Sequence, residues 1–391
     1  MTSGPSFNPV FAGLGTTIFS VMSALALEHQ AINLGQGFPD EDGPHAIRAV
    51  AAQALRDGPN QYPPTRGVPA LRAAIAAHAR RFYGFSFDPE TEVLVTSGAT
   101  EALACCIYGL AGPGKEVVLI EPAYDSYRPI AQSAGAKVRS VILEPPDFRL
   151  TYDGLAAAVT EKTTAVLVNT PLNPLGRVFS RAELEILAEV VGRSNAAVVA
   201  DEVYEHLTFD GRSHISPLAI AGLKDRVLRV GSAGKMFSLT GWKIGWVTGP
   251  AALVDIAAKA HQFLTFTTSP ALQLGIAHGL ERQIDFTLGL RDELEAKRDL
   301  LARELAALGF ELLPCEGTYF LTASIRALTQ ESDRDFCLRL VREAKVALVP
   351  LSPFFEAGKP DHLVRFAFCK KADVLREAIV RLQNYLGKRK V

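Results

Sequence analysis

Between Val227 and Val247 two short apolar runs, residues 227–230 and 244–247, flank a turn of small residues, GSAG, that delivers one lysine, Lys235. Apolar runs of this length bounded by glycine read as buried strands. A lysine held between such strands loses hydration, its pKa falls, and a neutral, nucleophilic amine becomes accessible near neutral pH. Amines of this kind form Schiff bases. The alternative is a lysine at a strand end whose ammonium reaches water. Ser232 just before it and Lys243 just after add a hydroxyl and a second cation, so an anion such as a phosphate would fit beside the amine.

The same grammar runs through the preceding stretch. Residues 92–96 form an apolar run that passes through Ser97, Gly98, Ala99 and Thr100 into a helical pattern, and free backbone amides at a helix N-terminus are a ready anion site. Any strand-to-helix turn shares that look. No GxGxxG and no GxxxxGK[ST] occurs, which argues against a dinucleotide or nucleoside triphosphate reading. Residues 115–120, 137–143, 165–169 and 196–200 read as further strands, and 150–159 as a helix.

Several chemically uneasy residues sit where these strands end. Asp201 follows directly on a buried run, where a carboxylate is costly unless paired, so it calls for a cation, a helix cap or an arginine. Asn173 lies between Pro171 and Pro174, which hold its amide in a fixed direction or simply shape its own turn. Tyr124, beyond residues 115–120, offers a flat face to a ring or fills the core. In HLVRFAFCK, alternation places Arg365 on one face with Leu363 and Ala367, and Val364, Phe366 and Phe368 on the other. A guanidinium there is explained by a planar anion or by a structural ion pair. Gly37, in the loop GQGFPDEDGP, permits close backbone approach to a ligand or a plain turn.

At 391 residues the chain exceeds one typical core, and two domains are expected. Lys+Arg 41 against Asp+Glu 42 leaves a net charge of −1, which argues against nucleic acid or an anionic membrane as partner. The first residues lack a basic segment followed by an apolar one, and no apolar run approaches ~18 residues, so a cytoplasmic protein is expected. Five cysteines without a CxxC pair read as buried free thiols. A helical arm with Ile18, Val21, Met22 and Leu25 opens the chain, a helix starts near Val68, and others span 253–264, 272–280 and 286–308. The remainder alternates: strand CEGTYFL, a helix over 334–343, strands ALVPLSPFF and HLVRFAFCK, and a last helix from Ala372.

The order SGAT, Tyr124, the NPxG asparagine, DEVY, GSAGK and a strand arginine resembles class I aminotransferases of PLP fold type I, over nearly the whole chain. The likeness is to the branch of kynurenine aminotransferase, glutamine transaminase and bacterial methionine aminotransferase. It implies an α/β fold with a large domain built on a mostly parallel seven-stranded sheet flanked by helices, plus a small α/β domain. The implied division is 1–47, the arm and part of the small domain, 48–285, the large cofactor-binding domain, and 286–391, the small domain.

Further implications concern the site. Pyridoxal 5'-phosphate would be held by Lys235 as a Schiff base, its phosphate by Ser97, Gly98, Ala99, Thr100, Ser232 and Lys243. Tyr124 would stack on the ring, Asp201 would pair with the ring nitrogen, and Asn173 and Tyr204 would donate to the phenolic oxygen. The resemblance makes the protein a homodimer in which Tyr62 reaches the neighbour's phosphate. Arg365 would bind the α-carboxylate of an amino acid or 2-oxo acid, with Gly37 lining the substrate site and Phe19, Phe38, Phe266 and Phe354 as apolar walls. Many relatives have arginine where Lys243 stands, so a point charge replaces a fork. The implied activity is transfer of an α-amino group from methionine, glutamine, an aromatic amino acid or kynurenine. Alternatives are a cysteine-conjugate β-lyase, an N-succinyldiaminopimelate-type aminotransferase, and a non-catalytic binding domain.

Overall fold

The computed structural model describes residues 6–387. Seven strands form the central sheet: β1 (Val93–Thr96), β2 (Glu116–Glu121), β3 (Lys137–Ile142), β4 (Thr163–Asn169), β5 (Ala197–Asp201), β6 (Val227–Ser232) and β7 (Gly245–Thr248). Across the sheet they run β1-β7-β6-β5-β4-β2-β3, and only β7 is antiparallel to its neighbours. The continuous apolar runs follow from this placement, because a parallel sheet is covered on both faces. Val166, Val168, Val198 and Ala200 pack on one side with helix Arg181–Gly192, while Ala165, Leu167 and Val199 pack on the other with helices Ala99–Leu110 and Ala251–Leu264.

A second layer set stands beside the first. Four antiparallel strands, β8 (Glu311–Leu312), β9 (Phe320–Ser324), β10 (Val349–Pro350) and β11 (Leu363–Ala367), run in the order β10-β11-β9-β8. Their core joins residues of helices Ile284–Ala307, Asp333–Glu343, Ala372–Gly387 and Ile18–Glu28. Residues 18–33 belong to this layer: Ile32–Asn33 pairs in parallel with Val346–Ala347, and Met22 and Ala26 face the same core.

One expected strand starts later than its apolar look predicts. In CEGTYFL the ladder begins at Phe320, because Thr318 takes φ +68° and Gly317 packs so closely on the Leu207 carbonyl that a Cβ would lie 2.6 Å away. All five cysteines are buried free thiols. Among the described residues, no helix is long and apolar enough to cross a membrane.

Candidate active site

The carboxyl ends of the parallel strands converge on one side of the sheet, where open α/β folds bind ligands. Register does the placing. Asn169 and Asp201 are partners at the ends of β4 and β5, Ser232 ends β6, and Gly98 follows β1. Arg365 comes from the other sheet on β11. Together they line a cavity of about 440 Å³.

At one end of the cavity the first turn of helix Ala99–Leu110 presents its amides. Gly98 caps that helix at φ +82°, and the Ala99 and Thr100 N–H groups belong to a first turn that has no intrahelical acceptors. The fit is tight: a Cβ on Gly245 would lie 2.6 Å from Ala99 N, and one on Gly98 would lie 3.2 Å from Lys243 Nζ. Lys243 itself is held in the left-handed region at φ +53°. Amides at a helix N-terminus, a serine and an ammonium make a donor set suited to phosphate.

Asp201 sits in the floor with 5% of its surface exposed. Its carboxylate accepts from the Tyr127 hydroxyl at 2.6 Å and the Val203 N–H at 3.3 Å, both neutral donors. Neither a cap nor an arginine satisfies it. Burial raises its pKa to about 6 against those two bonds and the field of Lys235. An anion buried on neutral donors alone suits a cationic ring nitrogen.

Lys235 stands in the last turn of a short helix, Ala233–Met236, rather than in an open turn. Its Nζ donates to the Tyr319 hydroxyl at 2.7 Å and lies 3.4 Å from the Gly37 carbonyl. Burial lowers its pKa to about 8. Tyr319, absent from the expected site, donates in turn to Gly37 O at 2.6 Å. Tyr204 is buried beside it, with ring centroids 5.2 Å apart.

Arg365 is 1% exposed and has no carboxylate partner among the described residues. It donates to Asn173 Oδ1 and Gly35 O, each at 2.7 Å, while its buried Nε has no partner in the protein. The guanidinium lies 3.8 Å from the Phe320 ring centroid, with Phe19 and Phe354 near. Burial lowers its pKa to about 10. A desolvated cation of this shape with a spare donor is completed by a planar anion.

The loop over the cavity is stapled to the small sheet. Lys370 Nζ donates to Phe38 O at 2.9 Å and pairs with Asp40, whose other oxygen accepts from Lys371 N. Gly37 answers to close packing, though against protein: a Cβ there would meet Phe320 at 2.4 Å and Tyr319 at 2.8 Å.

Of the residues singled out from sequence, Phe19, Gly37, Phe38, Gly98, Ala99, Thr100, Tyr124, Asn173, Asp201, Tyr204, Ser232, Lys235, Lys243 and Arg365 share the cavity. Ser97 lies just outside, its N–H taken by Glu101. Phe354 packs behind Phe19. Tyr62 and Phe266 are elsewhere, in edge contact with one another, and Tyr62 is 83% exposed.

The family model described as aminotransferase class I and II matches residues 29–382. The chain belongs to that family. This aminotransferase is 46% identical over 378 residues to the probable N-succinyldiaminopimelate aminotransferase DapC of Mycobacterium tuberculosis, covering 94% of this chain and 95% of that one. It is 42% identical over 371 residues to the methionine aminotransferase of Escherichia coli, covering 95% and 96%. The solved structure of N-succinyldiaminopimelate aminotransferase from Mycobacterium tuberculosis superposes with a TM-score of 0.95 at 45% identity, covering 97% of this aminotransferase and all of that chain. The fold is PLP fold type I, and the family's cofactor is pyridoxal phosphate. The unpaired Asp201, the amide-rich helix end with Lys243 and the lowered amine of Lys235 fit that group.

Proposed function

We propose that the amino donor is an L-amino acid with an uncharged, largely apolar side chain, methionine or an aromatic or kynurenine type, and that the acceptor is a 2-oxo acid. The observation that carries this reading is the inventory of charge: the cations lining the cavity are Lys235, Lys243 and Arg365. Each has a partner in the reaction already. Aromatic rings of Phe19, Phe38, Tyr124 and Phe320 make up much of the wall.

In this reading Lys235 holds the cofactor's aldehyde carbon, and Ser232, Lys243, Ala99 and Thr100 hold its phosphate. Bound pyridoxal phosphate supplies the electron sink for a carbanion at the substrate Cα. Asp201 keeps the ring nitrogen protonated, at the cost of its own burial. Asn173 and Tyr204 donate to the phenolic oxygen. Arg365 grips the substrate α-carboxylate with the donors that Asn173 and Gly35 leave free. Displaced from that carbon by the substrate's own amino group, Lys235 would be a free amine with a pKa lowered to about 8, the base that takes the Cα proton and returns it one carbon away. Gly37 and the Phe38 segment close the substrate side.

Assembly and setting belong to the same proposal. A homodimer brings Tyr62 to the neighbour's phosphate, and exposed Tyr62, Phe263 and Phe266 supply apolar surface for that contact. The five free buried thiols favour a reducing cytoplasm. The division into 1–47, 48–285 and 286–391 is supported by the separation of the strands, those of the large sheet lying within 93–248 and those of the small one within 311–367.

A second reading, N-succinyldiaminopimelate as donor, is favoured by the 46% identity to the mycobacterial protein. Initial rates with L-methionine, L-phenylalanine, L-kynurenine, L-glutamine and N-succinyl-LL-diaminopimelate decide between them. We expect kcat/KM for methionine or an aromatic donor to exceed the succinylated one by roughly 10-fold or more, the scale of one or two pocket contacts. The reverse order would establish the second reading. Pyruvate released from a cysteine conjugate faster than amino transfer would make the enzyme a β-lyase.

A further inference from the structure

A second constellation of reactive side chains lies outside the cavity. His78 is carried by helix Pro69–Tyr83, and Glu205 and His206 by the turn that follows β5 and Tyr204. His78 Nε2 and His206 Nε2 face each other at 2.7 Å, and one ring nitrogen of each histidine and one Glu205 oxygen lie within 4.8 Å of one another. His78 and Glu205 are each 4% exposed, whereas His206 is half-buried and gives a way in. None of the three lines the cavity.

Two further observations bear on what this cluster takes. Among the described residues, ten buried side-chain polar atoms have no hydrogen-bond partner in the protein, and four of them are here: His78 Nδ1, Glu205 Oε1, His214 Nδ1 and Arg229 Nη1. The charges also fail to cancel. Glu202 and Glu205 share the single guanidinium of Arg229, which bonds Glu202 at 2.8 Å and also reaches Glu205. Arg229 thus offsets only one of the two buried carboxylates, the His214 imidazole being the other group that Glu202 contacts, and an added cation beside Glu205 offsets the second.

We propose that His78, Glu205 and His206 bind one divalent transition-metal ion of the zinc type per chain. Two imidazole nitrogens and one carboxylate oxygen are a set that zinc takes. Zinc–nitrogen bonds of about 2.0–2.1 Å in a tetrahedron hold the nitrogens ~3.3 Å apart, so the rings separate by roughly 0.6 Å from their hydrogen-bonded distance. Water fills the fourth position. The ion clamps helix Pro69–Tyr83 to the turn bearing Tyr204 and stabilises the fold without touching substrate. Among the described residues the other cluster of possible ligands, Glu101, Cys105 and His261, differs in being satisfied already: both His261 nitrogens have partners, at 2.6 and 3.1 Å.

The test is equilibrium dialysis of the cofactor-loaded full chain against zinc in a competing chelator, with X-ray absorption at the zinc edge and thermal unfolding as further readouts. The expected result is one zinc per chain in a shell of nitrogen and oxygen only, with a raised Tm. His78→Gln and His206→Gln should each weaken binding by more than the roughly 10–100-fold that loss of an outer-shell contact produces. Cys105→Ser should bind as the parent does. The proposal is overturned if the parent gives up zinc to a weak chelator, if sulfur appears in the shell, or if both histidine variants retain stoichiometric zinc. Because the two variants lie on different elements, a folding failure in one leaves the other to decide.

Discussion

Asp201 and Glu202 are neighbours in sequence, both buried, and opposite in circumstance. Asp201 faces the cavity on two neutral donors, and burial raises its carboxyl to about 6. Glu202 points the other way. Burial pushes its pKa up as well, but Arg229, His214 and Ser216 outweigh that, and it is held below the ordinary range. The contrast separates two uses of a buried charge. A carboxylate with its countercharge built in is part of the fold, while one without is waiting for something the chain does not supply.

Substitutions on the two sides of that divide should differ in kind. The largest effect is expected in the cavity. Lys235→Ala should reduce either half-reaction by about 10⁴-fold or more, the upper range for a general base. The visible band of the cofactor-loaded protein should shift as well, with Tm nearly unchanged. Retained turnover would remove the lysine from the mechanism.

Next comes the paired side. Glu202→Gln weakens the shared acceptor of Arg229, His214 and Ser216 while Glu205 still counters the guanidinium, and should destabilise the protein by about 1–3 kcal/mol in chemical unfolding. A neutral outcome would break the comparison. The sharpest test is the neighbouring amide. Asp201→Asn should stabilise the cofactor-free protein by up to roughly 3 kcal/mol at pH 7.5 while lowering activity, since a pKa raised from 3.8 to about 6 penalises the ionised form. The sign follows from proton uptake. Between pH 3.8 and 6 the native parent binds more protons than the unfolded chain, so its stability falls as pH rises through that window. The difference between parent and variant should therefore be full above pH 6 and vanish below pH 4. Smallest is Tyr319→Phe, which removes one hydroxyl between Lys235 and Gly37 and should cost about 0.5–1.5 kcal/mol, read as the lysine's apparent pKa and as kcat.

Much of this site was legible because its residues are chemically out of place. A lysine between apolar runs, an aspartate at a strand end and an arginine within a strand each break a local rule, and rule-breaking residues tend to be functional. Tyr127 and Tyr319 escaped for the converse reason: one sits in the polar segment DSYRP and the other in the run TYFL, each an ordinary aromatic there, and only their hydroxyl partners give them away. The central strands were readable from length and apolar continuity. The pairing of Ile32–Asn33 with Val346–Ala347 was not, since two residues carry no period. Tyr62 and Phe266 lie away from the cavity of their own chain, and no local pattern tells what they meet.

The stapled loop has a mechanical consequence. Gly35, Gly37, Phe38 and Asp40 are bonded to Arg365, Tyr319, Lys370 and Lys371, so the residue that grips the carboxylate and the loop that closes over it ride on one body. Around the cavity that body meets the large sheet through Arg365 to Asn173, Tyr319 to Lys235 and Thr322 to Pro174 O. A substrate carboxylate held by the donors that Arg365 has free would add its own bond at this seam in the act of binding. The latch and the anchor are then a single moving part.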